Sequence, residues 1–550
     1  MDPDYSADFA LALMTLSTVV VKGNHNIRLL TMSWEQVNPM TLELFHALGV
    51  QLQQFRLPDI HDMPMRIVIE PDRNGRSGLD EWLEGKLIHG SNQAALGLPC
   101  TVLCFQEAFE KFDWPENWEA IDLDQENFWE MSRDVAHEGI KPSAFTRSPT
   151  LTNLPGSYYV VISDRRTRRI FDRDSRQIVE VSTKCSESEM IQQISWYYRA
   201  RVPMGYEKMI IDSSKEPSED RRLMRICNDQ LGGFLAALTD FSAWPREFLA
   251  LLWAANGPSR GVRLSQMKGR LEEQGLTVWA DSPTSWGLSN SVGERIFHKV
   301  LPMVDYDHCV AHFLSLPRSS LVVAAKVQMA ALIVSGRCCV HTASELEVLN
   351  RQGVLDYTYR VGLFKEFGYD STLTMSLGAM KLEMAGPTPS YIDVDTRSLG
   401  FSVEREDIAR VQGKCRLLIN AFREARIPIV EVASFSPEEP SLTPAQRLEV
   451  LLDFGRAFVH PMTETDWRVS NGEARLRTKD ILSRCWVDTP KWVRACYPRE
   501  HLLGMTWPQY GIYTRASAER EGDQMSIQDW TRLPDSVVQQ LDREREERRD

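Results

Sequence analysis

Apolar residues at helical spacing mark several segments in the middle and C-terminal parts of the chain. The longest apolar run, SSLVVAAKVQMAALIVSG at 319–336, contains Lys326 and Gln328. Because these polar residues interrupt it, the run falls short of a bilayer span, and we predict a buried helix. A second helix is predicted after Thr443, where Pro444 and Gln446 complete a capping box.

Further helices are predicted on either side of these two. PSEDRRLMRICNDQLGGFLAALTDF reads as a long helix that starts near Ser218. The sequence DIARVQGKCRLLINAFREAR is also helical in pattern, and the charged end DREREERRD predicts a solvated helical tail.

Strand patterns cluster in the first two hundred residues. MRIVIEP, TVLCFQ and SYYVVIS are short, rich in β-branched or aromatic residues, and bounded by turn residues, and EKMIIDSS, just beyond, adds a fourth predicted strand. The stretch SYYVVISDRRTRRIFDRDSRQIVEVS predicts a β-meander with polar turns. Further along, YIDVDT and IPIVEVAS flank a helical segment, which predicts a βαβ unit.

These patterns predict a multidomain α+β protein with three parts. We expect an α+β domain with a β-meander at 1–215, a mainly helical domain at 216–385, and a smaller α/β-like domain with a charged C-terminal helix at 386–550. The length of 550 residues fits two to four domains.

Composition limits the function classes. The net charge of −13 argues against a broad basic surface for nucleic acid, though a local patch stays open. Ten cysteines are too few for a disulfide scaffold in a chain of this length. The apolar run near the N-terminus follows an acidic leader, so we expect no signal peptide and no membrane partner. We therefore expect a cytoplasmic or otherwise intracellular location, or one within a particle.

The segment VDYDHCVAHF at 304–313 is a candidate metal site. In a short helix, Asp305, His308 and His312 would share one face, and Cys338 and His341 could complete a zinc or iron site. The alternative, which we favour, is that these histidines make ordinary hydrogen bonds in a packed helical region.

A second candidate is the aspartate pair in YIDVDTRS. Asp393 and Asp395 would point to the same side of a strand and could hold Mg²⁺. The segment resembles haloacid-dehalogenase-type or DxD metal motifs, although a threonine directly follows the second aspartate. That resemblance implies phosphoryl or glycosyl transfer. The alternative is a strand that ends in a solvated acidic turn.

A third candidate is an arginine cluster that we expect at a hairpin tip. Arginines bind phosphates through paired hydrogen bonds, which makes this cluster a candidate contact for nucleic acid. Nearby aspartates could neutralise it instead. The cluster consists of Arg165, Arg166, Arg168 and Arg169.

No standard nucleotide-binding or zinc-protease motif is present: the sequence lacks G-x-x-x-x-G-K-[ST], G-x-G-x-x-G and H-E-x-x-H. Together with fifteen dispersed tryptophans, this favours a structural or interaction protein, such as a capsid-like self-assembling shell or a scaffold subunit. Its partners would be other copies of itself, and it would need no cofactor. The alternative hypothesis is a metal-dependent hydrolase or transferase that uses Mg²⁺ at Asp393 and Asp395, or Zn²⁺ at the His/Cys site.

Overall fold

The protein mixes helices and sheets. The computed structural model describes residues 4–22, 41–42, 45–46, 49, 53, 66–71, 100–104, 119–121, 143–145, 157–163, 165–186, 189, 207–212, 223–240, 260–279, 286–290, 292–336, 341–342, 358, 361–385, 401–402, 405–470, 473–489, 507–519 and 522–548. The Asp393 and Asp395 pair and Cys338 lie outside these residues.

The helices of the described residues are α1 (Ala7–Lys22), α2 (Leu231–Ala237), α3 (Arg260–Glu273), α4 (Glu294–Val300), α5 (His308–Ser315), α6 (Ser320–Val334), α7 (Thr372–Ala385), α8 (Arg405–Glu424), α9 (Pro444–Ala457) and α10 (Asp535–Glu547). Short 3₁₀ turns lie at Arg225–Cys227, Leu238–Asp240, Pro302–Val304, Gly362–Phe364 and Gly368–Asp370. None of these helices combines the length and the apolar character that crossing a bilayer requires.

Six strands form a parallel sheet in the order β1-β8-β5-β2-β4-β3. They are β1 (Arg66–Pro71), β2 (Cys100–Cys104), β3 (Glu119–Ile121), β4 (Ser143–Phe145), β5 (Ser157–Ser163) and β8 (Glu207–Asp212). The four predicted strand segments all belong to this sheet. Parallel neighbours need long crossover connections, which explains the wide sequence spacing of the strands.

The predicted meander divides between two sheets. Strand β5 belongs to the parallel sheet, whereas β6 (Arg165–Phe171) and β7 (Ile178–Lys184) form an antiparallel hairpin. That hairpin joins β17 (Ala516–Ala518) and β18 (Ser526–Ile527) in a four-stranded sheet. Segments more than 300 residues apart in sequence therefore meet in one sheet.

The C-terminal part contains an antiparallel sheet in the order β15-β14-β13-β16-β19. Its strands are β13 (Met462–Ser470), β14 (Glu473–Asp480), β15 (Trp486–Val487), β16 (Gln509–Ile512) and β19 (Thr531–Leu533). Two small pairs complete the strands: β9 (Thr277–Trp279) with β10 (Trp286–Leu288), and β11 (His341–Thr342) with β12 (Phe401–Ser402).

Several predicted helices are present for the expected reasons. Helix α6 is apolar on all sides and lies in the core, with twelve of its residues buried, as expected for a helix without a polar face. Helix α9 starts with the predicted capping box: Thr443 Oγ1 accepts from Gln446 N at 3.3 Å, and Gln446 Oε1 accepts from Thr443 N at 2.9 Å.

The long helix predicted from Ser218 does not form over its described part. The backbone amides of Arg225 and Ile226 donate to the carbonyl oxygens of Asp4 and Tyr5, at 2.8 and 3.3 Å. Because these amides bind the N-terminal segment, they cannot join a helical ladder. Within the described residues 223–240, the α-helix that forms is α2.

The strand predicted at IPIVEVAS is also absent, because residues 427–434 are irregular. Ile427 N donates to Phe422 O at 2.9 Å and so turns the chain back at the end of α8. Gln328, from the buried helix α6, donates to Val432 O at 2.9 Å. The carbonyl oxygen of Val432 therefore accepts its hydrogen bond from a side chain. In a sheet it would accept from the backbone of a neighbouring strand.

Candidate functional site

The predicted arginines lie along strand β6, rather than at a hairpin tip. The tip of the hairpin is the turn at 172–177, where Arg173 and Arg176 are exposed. Within β6, Arg166 is paired with Thr183 of β7, and Arg168 with Val181. The side chain of Arg165 lies outside the described side chains.

Acidic groups from distant segments neutralise these arginines. Arg166 Nη2 lies 2.7 Å from Asp4 Oδ2, and Arg168 forms an ion pair with the buried Glu189. Arg169 Nη2 lies 3.6 Å from Asp307 Oδ2. The arginine strand therefore links the N-terminal segment and the start of helix α5 to the β6–β7 hairpin.

Asp305 does not share a helical face with His308 and His312. Helix α5 begins only at His308, and Asp307 caps it by accepting hydrogen bonds from the amides of Cys309 and Val310, at 3.0 and 3.1 Å. Asp305 lies before the cap in the left-handed region, with φ of 55°, and forms an ion pair with Arg225. Its carboxylate is therefore paired with Arg225 and is not part of a shared face with the two imidazoles.

His308 and His312 lie one turn apart and are both buried, at 2% and 1% exposure. Burial lowers the pKa of His308 to about 4 and that of His312 to about 3. Both are therefore neutral at pH 7. In the described part of the chain, the Nδ1 atoms of both rings lack a hydrogen-bond partner.

The pair of glycines at 232–233 allows this packing. A Cβ atom on Gly232 would lie 2.4 Å from His308 Nδ1, and one on Gly233 would lie 1.9 Å from Tyr306 O. Helix α2 can therefore lie directly against the turn that precedes α5, because no side chain stands between them.

Three potential ligand atoms do come together beside His308. Those of Asp307, His308 and Cys309 lie within 4.8 Å of one another. However, burial raises the pKa of the Cys309 thiol to about 12, and the sulfur accepts from Gln274 Nε2 at 3.2 Å. The Cys309 thiol is therefore protonated, and Asp307 already faces Arg169. A metal ion would have to displace the thiol proton before the sulfur could bind it. The backbone of His341 lies in β11, apart from these residues in sequence and element.

Two buried ion pairs were not predicted from the sequence. Lys326 Nζ in α6 lies 2.9 Å from Asp453 Oδ2 in α9, and both side chains are fully buried. Lys381 in α7 pairs with Glu439 at 2.7 Å. The sequence signal for the first pair was a lysine inside an otherwise apolar run, which needs a charged partner when the run is buried.

The fold has a counterpart among solved structures. The crystal structure of Escherichia coli DEAH/RHA helicase HrpB aligns with 97% of this chain and 55% of its own, at 11% sequence identity and a TM-score of 0.51. A structure of the E. coli DExH-box NTPase HrpB aligns with 98% of this chain and 55% of its own, at 12% identity and a TM-score of 0.47. This chain thus spans about half the length of the chains it resembles. No protein-family profile matches the sequence, and the comparison with curated proteins finds no match.

The expectation of a capsid-like shell or scaffold subunit is wrong. The described fold is similar to that of a helicase, with a parallel sheet followed by helices and an antiparallel sheet. Neither the lack of nucleotide-binding motifs nor the dispersed tryptophans distinguishes a shell from a protein with other roles. The similarity to HrpB gives no support to the expected homo-oligomer.

Proposed function

We propose that this chain is a helicase-type protein that binds nucleic acid. The observation that carries the proposal is the alignment of nearly the whole chain with DEAH/RHA helicase HrpB at a TM-score of 0.51. One fold can host several activities, so nucleic-acid binding is our inference from this likeness. The proposal keeps the intracellular location expected from the sequence.

A nucleoside triphosphate and Mg²⁺ belong to the same proposal, because Mg²⁺ bridges the terminal phosphates in NTPases. The sequence contains no G-x-x-x-x-G-K-[ST] loop. This chain would therefore hold the phosphates without a P-loop of this type. Of the two metals considered from the sequence, Mg²⁺ is the one that fits this role.

Contacts with nucleic acid must be local, because the net charge of the chain is −13. Arg166 and Arg169 remain candidates for such contacts. Their side chains are 40% and 39% exposed, although each also faces a carboxylate. An arginine has five N–H donors, so one ion pair leaves others for a phosphate.

The test is fluorescence anisotropy with labelled single-stranded RNA and DNA of about 16 nucleotides, and with a duplex of the same length. We expect binding whose affinity falls between about 50 and 200 mM salt, because bound phosphates release counterions. Arg169→Ala should weaken binding and reduce the salt slope if this strand contributes, whereas the exposed Arg426→Ala serves as a charge-matched control.

The absence of binding to each of the three nucleic acids at low salt would overturn the proposal. Nucleotide binding is measured separately, with a fluorescent ATP analogue in the presence and absence of Mg²⁺. Binding that requires Mg²⁺ would support the NTPase part, and no binding in either condition would remove it.

A further inference from the structure

The antiparallel C-terminal sheet presents an exposed indole on its outer face. The structure describes the side chains of three tryptophans: Trp530 is buried, Trp507 is half-buried, and Trp486 is 51% exposed. A single exposed apolar side chain is ordinary on a protein surface, but an exposed indole also offers a flat π-face that a ligand could cover. What sets Trp486 apart is the chemistry of the groups around it.

The backbone around Trp486 is held firmly. Trp486 is paired with Lys479, and Val487 with Thr478, so β15 is fixed to the edge of β14. The turn between these strands is closed by hydrogen bonds from Arg484 N to Asp480 O, at 3.0 Å, and from Asp480 N to Cys485 O, at 2.9 Å. The ring is thus presented in place before any ligand arrives, which lowers the entropy cost of binding.

Two cations of the neighbouring strand β14 lie over the ring. The guanidinium carbon of Arg477 and the Nζ of Lys479 each lie 5.9 Å from its centroid. Arg484, in the turn directly before β15, is also exposed. A cationic ligand would be repelled here, whereas a ligand with a flat ring and a negative charge would meet both the indole and the cations.

Carboxylates share the same face. Glu464 lies opposite Lys479 and Asp466 opposite Arg477 across the strands, and Asp488 is exposed two residues after Trp486. The face carries three cations and three anions, so it does not attract phosphates strongly at a distance. Recognition must come mainly from stacking on the indole, with the cations contacting phosphate at close range.

We propose that Trp486, flanked by Arg477 and Lys479, is a stacking platform for an unpaired base of single-stranded nucleic acid. This inference rests on the proposed function and assigns it a site. An unpaired base fits because it has a free π-face and a phosphate beside it. The bases of a duplex are stacked on one another along its length and offer no such face except at its ends.

The first test compares the affinity of variants for a labelled single strand of about 16 nucleotides. For Trp486→Ala we expect an affinity about tenfold lower, equivalent to about 1.4 kcal/mol. Trp486→Phe keeps an aromatic ring and should retain most of the affinity. Leu417→Ala removes another exposed apolar side chain, on α8, and should leave the affinity unchanged. Thermal unfolding shows whether each variant is folded.

The second test uses Cys485, which is exposed and adjacent to Trp486. Its alkylation rate, located by mass spectrometry, should fall several-fold when the wild-type protein is saturated with the single strand. An unchanged rate at saturation would overturn the platform, as would a Trp486→Ala variant that binds as tightly as the wild type. In both cases the wild type still binds, so the proposed function would stand. A wild type that binds no nucleic acid would instead remove both.

Discussion

Gln177 Nε2 donates hydrogen bonds to Asp480 Oδ2, at 3.1 Å, and to the carbonyl oxygen of His460, at 2.9 Å. Gln177 ends the turn of the β6–β7 hairpin, and Asp480 ends β14, so this amide joins two sheets. The Asp480 carboxylate also accepts from Tyr513 Oη, at 2.9 Å, and from the amide of Ser483, at 2.7 Å. One buried carboxylate therefore organises the turn that leads to Trp486.

Replacing Asp480 should be costly. Asp480→Ala would leave the donors of Gln177, Ser483 and Tyr513 without their acceptor in a buried place, and each such loss costs about 1–3 kcal/mol. We expect the free energy of unfolding to fall by at least about 3 kcal/mol in urea denaturation. Asp488→Ala, at an exposed carboxylate of the same sheet, should change it by less than about 0.5 kcal/mol. Equal effects of the two substitutions would contradict this role of Asp480.

The close contact between α2 and the turn before α5 predicts opposite effects for two glycine substitutions. Gly233→Ala would place Cβ 1.9 Å from the backbone oxygen of Tyr306, and the backbone would have to move. We expect a loss of at least about 2 kcal/mol in stability. Gly269→Ala, in α3, meets no atom within 4 Å and should add about 0.5–1 kcal/mol, because alanine favours a helix. Chemical denaturation of both variants measures the two stability changes. A Gly233→Ala protein as stable as the wild type would show that α2 does not pack as described.

The buried pair between α6 and α9 predicts a non-additive double substitution. Asp453→Leu would leave the ammonium group of Lys326 buried without its carboxylate, at a cost of about 3–5 kcal/mol. Lys326→Met together with Asp453→Leu should cost less than Asp453→Leu alone, because no uncompensated lysine remains. Urea denaturation gives both values. The exposed pair of Arg423 and Glu431 is the control, and Glu431→Ala should cost less than about 1 kcal/mol.

The buried histidines predict that stability falls in mild acid. The pKa of His312 is about 3 in the folded protein and about 6.5 in the unfolded chain. Between these values the unfolded chain binds more protons, so stability is lost as the pH falls below about 6.5. His312 alone should contribute a loss of about 2 kcal/mol between pH 7 and pH 5.

The control is a His312→Leu variant, which has no titrating group at this position. Its stability should decrease less than that of the wild type between the same two pH values. Because His308 and His460 also have lowered pKa values, the difference between the two proteins is the quantity to compare. Identical decreases in both proteins would show that His312 is not buried in its neutral form.

Local patterns in the sequence predicted several elements well. The capping box at Thr443 and the apolar run around Lys326 fix helices α9 and α6 through contacts that lie within a few residues. The short helix expected around His308 and His312 also forms, as α5, although it begins only at His308. The sequence between β13 and β14, Asn471-Gly472, is also a typical hairpin signal.

What the sequence could not supply were partners from distant segments. Arg225 and Ile226 are compatible with a helix, but the carbonyl groups of Asp4 and Tyr5 bind their amides instead. Arg169 was predicted to face phosphate or nearby aspartates, and it faces Asp307. The exposure of Trp486 could not be predicted either. Nothing in the neighbouring sequence distinguishes it from the other tryptophans among the fifteen.

The docking of residues 4–7 onto 225–230 sets an order of events during synthesis. Gln230 Oε1 accepts from Ala7 N at 2.8 Å, across 223 positions of the chain. At roughly 5–20 residues per second, the ribosome needs about 11–45 s to make the intervening segment. For much of that interval α1 has emerged from the ribosome without its partner, and its apolar residues, such as Leu13 and Met14, are accessible to chaperones. Codon choice before residue 230 would therefore change the time that α1 spends without its docking partner. The yield of folded protein would change with it.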